Sequence, residues 1–559
     1  MTTLFLCSFA FAVQAADVNG SAAFNIDANY DIAGRSEIEA IAVKTSPQLY
    51  FFVDKNWWNQ QTGPKQAELL NRLEGLGQEF GQKIYPGITS VFGNEWKPGI
   101  DGDERITVLF HQMKEGVGGY FRNVDEYLKL QSPESNEREM IYITTSQIES
   151  PQLKVFLAHE FLHLVSFNQK ERTLGINEET WLNEARAEYV ATLLGYDDAY
   201  EGSNLERRVK IFLEEPNDPL TEWQGKRADY GALNLFVHYL VDHYGVKILA
   251  DSLKSEKSGI FSLNDALAKN GFYTDFAKIF TDWTLAVVVN DCTIGPKYCY
   301  LNPNLKNLRL NPSINFLPLT GKSTLSVTNV TKNWAGEWQK IIGGKGVLKL
   351  EFSSLAGLNY RVPYLVQTAE GNYQVNFLTL DKNEHGEVYI SDFGTLNRFL
   401  VVIPSLQTKN SGFNGADPTY PFTFTVSVSE RTPQQEEELI KSLLLQIKLL
   451  EEEIAKTKAQ LEAALNKKTI SCRRIENSLY FGMKNNAEVR CLQEFLANQG
   501  KAIYPEALVS SNFLSLTQAA VIRFQEKYAA EILAPLGLSQ ATGFVGSRTL
   551  TVINRLLRP

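Results

Sequence analysis

The chain has 559 residues, 44% of them hydrophobic and 21% charged, with a formal net charge of −9. That length exceeds what one hydrophobic core supports and implies roughly three to five domains or segments. An acidic chain without a basic block repels a phosphate backbone, which excludes nucleic acid as an expected partner.

Residues 4–13 are nearly all apolar, and Val13-Gln14-Ala15 places small side chains at a cleavage position. Residues 1–15 therefore read as a secretory signal peptide, with a buried N-terminal helix as the competing reading. The run is too short for a permanent anchor, and no other stretch approaches the ~20 apolar residues of a membrane helix. Residues 16–44 are small and polar and read as a mobile leader. Strand preference at 48–53 opens a domain expected over 45–290. A helix is expected over 66–85, where Leu69, Leu70, Leu73, Leu76 and Phe80 keep helical spacing. Pro86 and Pro98-Gly99 are expected to break the chain. Asp101-Gly102-Asp103-Glu104 offers hard oxygens for calcium but lacks the later carboxylate of an EF-hand loop, so calcium is not the expected ion. Residues 106–110 and 140–144 read as short strands. Between them Gly118, Gly119 and Tyr120 are candidates for an edge that pairs with an extended peptide, an ordinary hairpin being the alternative.

Helices follow to about 289. The first starts at Ser150 and Pro151, and residues 155–167 are apolar apart from His159, Glu160 and His163, the pattern of a buried helix. Others are expected over 178–194, 230–244 and 276–289. Strand-like runs at 323–327, 347–352, 374–380, 398–403 and 422–428 predict an antiparallel β-sandwich over 291–432, without a catalytic constellation. Residues 434–466 contain no Gly or Pro. Ile440, Leu443, Ile447, Leu450, Ile454 and Leu461 keep a seven-residue repeat, with Thr457 and Ala464 at weaker positions. The segment 433–468 reads as a coiled coil capable of self-association or as a lone helical spacer. Residues 469–559 form a compact last domain. Cys7 leaves with the signal, and Cys292–Cys299 and Cys472–Cys491 are the natural disulfides of an exported chain. A zinc site of four thiolates is the competitor, but the tight Cys-x-x-Cys spacing is missing.

His159-Glu160-Phe161-Leu162-His163 puts two imidazoles one helical turn apart on one face, within reach of a single metal, with a carboxylate beside them. A catalytic zinc takes three protein ligands and lowers the pKa of its water towards ~7. Glu160 is placed to take that water's proton and pass it to the leaving amine. The alternative, a pair of core histidines, buries three polar groups that would each need a partner. Twenty residues lie between His163 and Glu184, enough for a loop and a returning helix. Glu184 and Glu188 stand four apart in Trp181-Leu182-Asn183-Glu184-Ala185-Arg186-Ala187-Glu188, so one can ligate while the other orients a ligand histidine.

These motifs resemble the gluzincin metallopeptidases, which join H-E-x-x-H to a downstream Asn-Glu on a second helix. The resemblance covers roughly 45–290 and implies a zincin-like fold. It also implies one catalytic zinc on His159, His163 and Glu184, Glu160 as general base, and Asn183 and Glu188 as supports. The Trp-Leu-Asn-Glu run is similar to that of the zinc aminopeptidases and the hyicolysin-type peptidases, but no Gly-x-Met-x-Asn motif precedes the helix. Asp229-Tyr230-Gly231 resembles the start of a later helix in related secreted peptidases. Tyr230 is the candidate stabiliser of the oxyanion, with His238 and His243 behind it; simple packing of Tyr230 and Tyr239 is the alternative. Near the end, Val489, Leu492-Gln493 and Leu496 recur as Val521, Phe524-Gln525 and Tyr528. With Gly543, Gly546 and Thr549 they resemble the small three-helix peptidoglycan-binding domain over about 475–557. The expectation is a multidomain α+β protein: a secreted, cell-wall-associated zinc endopeptidase acting on protein or peptide. A hydrolase or amidase of the wall's own peptides is one alternative, and a non-catalytic adhesin with structural zinc is another.

Overall fold

A computed structural model of the chain describes residues 18–408, 416–429, 433–466 and 473–557. Residues 1–15, expected as a signal peptide, and Cys472 of the expected Cys472–Cys491 bridge lie outside the described residues. Helices and sheets are mixed throughout, and they fall into two compact units, one ending at Glu436 and one beginning at Glu437.

The first unit opens with six strands: β1 (Ser21–Asn25), β2 (Glu37–Thr45), β3 (Leu49–Asp54), β4 (Ile106–His111), β5 (Gly119–Phe121) and β6 (Met140–Thr144). Their order is β1-β2-β3-β4-β6-β5. β3, β4 and β6 run parallel, while β5 pairs antiparallel with β6 and forms an edge. Both faces are covered, so the central strands are unbroken apolar runs rather than alternating ones. Leu49, Phe51 and Val53 face a helical layer. Tyr50 and Phe52 meet Phe24, Tyr120 and Tyr142 on the other side. The expected mobile leader is corrected here. From Ser21 onward it carries β1 and nearly all of β2, whose Phe24, Ile38, Ala40 and Ala42 face inward in that second cluster.

Ten helices accompany the sheet: α1 (Lys55–Asn59), α2 (Gly63–Glu79), α3 (Tyr85–Phe92), α4 (Leu153–Ser166), α5 (Thr180–Leu193), α6 (Asn204–Glu214), α7 (Asp229–Tyr244), α8 (Lys247–Leu253), α9 (Gly259–Lys269) and α10 (Phe276–Val289). Pro86 does not break the chain. A wide turn at Phe80–Ile84 leads into α3, and Pro86 sits in its first turn, where the missing N–H is harmless. α4 starts later than Ser150 implied; the Ser150 hydroxyl accepts from the Gln152 N–H at 3.1 Å in the turn before it. No helix among the described residues is long and apolar enough to cross a membrane.

Ten further strands, β7 (Ser313–Leu317), β8 (Ser323–Thr331), β9 (Gln339–Gly343), β10 (Gly346–Ser354), β11 (Tyr360–Thr368), β12 (Tyr373–Leu378), β13 (His385–Phe393), β14 (Asn397–Val402), β15 (Ser405–Leu406) and β16 (Tyr420–Ser429), make two layers. One runs β12-β11-β14-β9-β7 and the other β13-β10-β16-β8; the single pair Phe393↔Asn397 joins them. Pairing is antiparallel except at β7–β9 and that junction. Val362, Tyr364 and Val366 of β11 face the second layer. Leu365, Val401 and Ile403 point the other way, into the same core as α10. Trp338 donates its indole N–H to the Thr284 carbonyl at 2.9 Å, and Gln407 bonds Thr281 at 2.8 Å. The strands after residue 290 thus share a core with the helices, where a separate domain was expected. Cys292 and Cys299 form the expected disulfide.

The second unit carries most of α11 (Pro433–Asn466), then α12 (Ala487–Asn498), α13 (Ser515–Lys527), α14 (Ala529–Ile532) and α15 (Ser547–Leu556). The two Gln positions of the sequence repeat prove equivalent. Gln493 accepts from the Ser510 and Ser511 N–H groups and donates to the Asn512 carbonyl and the Thr517 hydroxyl. Gln525 accepts from Thr542 and Gly543 and donates to the Phe544 carbonyl and the Thr549 hydroxyl. Every partner recurs after 32 residues. Each buried amide fixes a loop to the helix that follows it, satisfying groups that burial would otherwise leave unpaired.

Candidate metal centre

α4 and α5 lie against each other in the helical layer, and the chemistry sits on their facing sides. Leu157, Ala158, Phe161, Leu162, Leu164 and Val165 anchor α4 in the core. α5 is fixed at its start by a buried ion cluster. Glu178 accepts from Arg186 at 2.8 Å and pairs with Lys170 at 3.1 Å, while Lys170 also caps the Ser252 carbonyl at 2.9 Å. This knot pins the connection between α4 and α5, from which Glu184 returns to the histidines.

His159 Nε2 lies 3.2 Å from Glu184 Oε2, and His163 Nε2 lies 3.4 Å from Glu184 Oε1. Among the described residues these three form the one group of His, Cys, Asp and Glu able to share an ion, their ligand atoms all within 4.8 Å of one another. Ligand atoms ~2.0–2.1 Å from a common tetrahedral ion are roughly 3.3 Å apart, and both histidine-to-Glu184 separations are close to that. Glu184 Oε2 is shielded from solvent and accepts no well-aligned hydrogen bond, an orphan oxygen that a cation would satisfy. Two imidazoles and one carboxylate suit zinc better than calcium or magnesium, which take oxygen ligands.

Glu160 points beside the triad. Burial first, with Glu184 and Glu188 adding to it against the opposing pull of His159, pushes its carboxyl up to about 8. Its chain also touches the edge strand. A Cβ on Gly119 would lie 3.1 Å from Glu160 Oε1 and 2.7 Å from the Tyr142 carbonyl, and one on Gly118 would lie 2.1 Å from the Phe156 ring. Only glycine lets β5 run this close to α4. Tyr120 is different: its ring stacks on Tyr142 with centroids 4.4 Å apart, and its hydroxyl lies 3.0 Å from His111 Nε2. As a candidate substrate contact its side chain is therefore corrected to a core residue on the far face of the sheet.

Glu188 lies 3.6 Å from His159 Nδ1, beyond hydrogen-bond length, so it acts on the ring by charge. Its oxygens are taken by Arg208 at 2.5 and 2.8 Å, Asn204 at 3.0 Å and Asn234 at 3.2 Å. Burial alone would raise this carboxyl; the Arg208 guanidinium outweighs burial and holds it down at about 2. Arg208 also lies over the Tyr230 ring, 4.3 Å from its centroid. Burial, then the Glu184 charge, keeps the Tyr230 hydroxyl protonated well above the ordinary tyrosine range. Tyr230 lies in the first turn of α7 and keeps its proton. His238 and His243 do not support it. His238 is held between the Thr192 hydroxyl and the Asn234 carbonyl, both at 2.8 Å, and His243 faces the Cys299 carbonyl at 2.9 Å. Asn183 lies against His163, and its buried Oδ1 accepts no well-aligned hydrogen bond. Asp103 is engaged by Tyr50 and Arg105, and Asp101 by the Asp103 N–H.

The residues missing from the sequence reading are Arg208, Asn204 and Asn234. One signal was present: Leu205, Arg208, Val209 and Phe212 share a helical stripe, so Arg208 occupies a core-facing position.

No family model matches the chain, and no curated protein matches it either. Several solved structures align over about a fifth of the chain. The pre-peptidase C-terminal domain of a Bacillus anthracis collagenase matches 21% of this chain and 96% of its own at 8% identity and a TM-score of 0.14. The Aeromonas hydrophila PliG inhibitor of g-type lysozyme matches 21% and 100% at 10% identity and a TM-score of 0.15. Likenesses this low carry no argument about fold or chemistry.

Proposed function

We propose that the chain is a zinc metalloendopeptidase of the gluzincin kind, with a zincin-like catalytic region, secreted and associated with the cell wall. The carrying observation is the convergence of His159 Nε2, His163 Nε2 and the Glu184 carboxylate, at 3.2 and 3.4 Å. Zinc held there supplies Lewis acidity and a water acidified towards neutrality. Glu160, a buried carboxyl next to the triad, holds and passes the proton to the leaving amine. β5 offers the backbone edge along which an extended peptide lies, with Gly118 and Gly119 keeping the strand against Glu160. Tyr230 donates to the developing oxyanion. A structural zinc in a non-catalytic adhesin fits less well, because structural sites are closed by four protein ligands and the triad offers three. The last domain is proposed to bind peptidoglycan, which leaves wall peptides as the rival substrate.

The test pairs metal analysis of the purified chain with digestion of a peptide library, casein and purified cell wall. One zinc per chain and cleavage are expected, with Glu160→Gln keeping the metal and losing at least about 10²-fold in rate. A metal-free protein, or hydrolysis unchanged in the Glu160→Gln variant, refutes the proposal. Cleavage confined to the wall sample selects the wall-peptide reading.

A further inference from the structure

α11 (Pro433–Asn466) is a 34-residue helix whose described side chains lie almost wholly in solvent. Ile440 is 52% exposed, Ile447 50%, Leu450 56% and Ile454 65%. A single helix in water does not keep an apolar stripe of this length uncovered without cost; each side chain left in contact with solvent forgoes its burial free energy. The seven-residue repeat assigns the isoleucines, and then Leu461, to one core position, and Leu443, Leu450 and the weaker Thr457 and Ala464 to the next. Ile440, Ile447 and Ile454 take position a, and Leu443 and Leu450 take position d. Isoleucine at a with leucine at d is the combination that packs best as two parallel strands.

The flanking charges point the same way. In a parallel, in-register pair each g residue meets the e residue of the next heptad in the other strand. Those pairs are Leu439 with Leu444, Gln446 with Glu451 and Glu453 with Lys458. One is apolar, one sets an uncharged amide against a carboxylate and one is of opposite charge, and none sets like charges together. In an antiparallel pair g meets g, and the g positions Leu439, Gln446, Glu453 and Gln460 include no cation for Glu453. The antiparallel register that brings Lys458 to Glu451 sets Glu453 against Glu453 of the other copy, a pair of like charges.

We propose that the occupant of this stripe is a second copy of the chain, and that α11 forms a parallel, in-register, two-stranded coiled coil. The consequence is a dimer in which two first units are tethered at the same end of one stalk. Sedimentation equilibrium of the full chain should give twice the monomer mass at micromolar concentration. Ile447→Asp with Ile454→Asp should halve it while peptide hydrolysis per chain stays unchanged, which shows that the rest of the protein still folds. Ile454→Cys should cross-link the dimer on mild oxidation, since a residues of parallel in-register strands face each other. Glu453→Lys should weaken association, and adding Lys458→Glu should restore it. A monomer at tens of micromolar, a trimer or tetramer mass, or a dimer that Ile454→Cys fails to cross-link overturns the proposal.

Discussion

The buried pair Glu188–Arg208 serves two purposes that substitution can separate. Glu188 is 2% exposed and is bound by Arg208 at 2.5 and 2.8 Å. Removing one charge of such a pair strands the other, at about 3–5 kcal/mol. Replacing both by neutral side chains of similar volume costs far less, often nothing. Glu188 also places negative charge 3.6 Å from His159 Nδ1, and outer partners of this kind change metal affinity by about 10–100-fold. Glu188→Gln should therefore lose both stability and zinc affinity. Arg208→Met should lose stability and keep affinity within a few-fold. The double variant should regain most of the stability and keep the affinity loss of Glu188→Gln. Urea denaturation of chelator-treated protein measures the first quantity, and competition with a zinc-binding dye measures the second. If zinc affinity returns with stability in the double variant, Glu188 supports the fold alone and the argument about His159 is wrong.

Gly119→Ala should lower peptide hydrolysis on the order of 10²-fold with zinc content unchanged. The new Cβ would meet the Tyr142 carbonyl at 2.7 Å, and displacing β5 misplaces substrate against Glu160; wild-type turnover would contradict this. The carboxyls of Glu126 and Glu139 are buried together, and three of their four oxygens lack a hydrogen-bond donor. Burial first, then Glu139's negative charge, raises Glu126, and burial raises Glu139 to about 7. The folded state then holds a proton that the unfolded state has released, so stability is full below about pH 4.5 and is lost as pH rises through 7. Urea midpoints at pH 5 and pH 8 should show the fall, and Glu126→Gln should flatten it; an equal pH slope in the variant would refute the shared proton. Gln525→Leu strands the Thr542 and Gly543 N–H groups and should cost about 3 kcal/mol. Limited proteolysis of the full chain should then cut first between α13 and α15, and an unchanged pattern would remove the staple's assigned role.

What could be read in the sequence followed from apolar runs. α10 and β6 fall where their runs placed them, because each is buried on nearly every side and no Gly or Pro interrupts either run. Strand β11 was invisible because Arg361 and Pro363 interrupt its run. Val362 and Tyr364 face one layer and Leu365 lies on the side of α10, so no alternation remains to offset that break. β1 was hidden by its composition, Ser-Ala-Ala-Phe-Asn, whose small residues read as a leader until a second sheet face is present to bury Phe24.

The same distinction explains why the candidate ligands were legible and their support was not. Two imidazoles reach one ion from a single helix only when they are about one turn apart, so His159 and His163 must be close in sequence, and a short motif records them. Nothing imposes such spacing on the groups around Glu188. Asn204 and Arg208 come from α6 and Asn234 from α7, and they meet Glu188 only because α5, α6 and α7 pack together. A ligand set is a local constraint, whereas the charge balance that makes a buried ligand set tolerable is a tertiary one. Arg208 shows how the second kind can still leave a trace: a cation on an apolar stripe, between Leu205 and Phe212, has no reason to be there unless an anion is buried across from it.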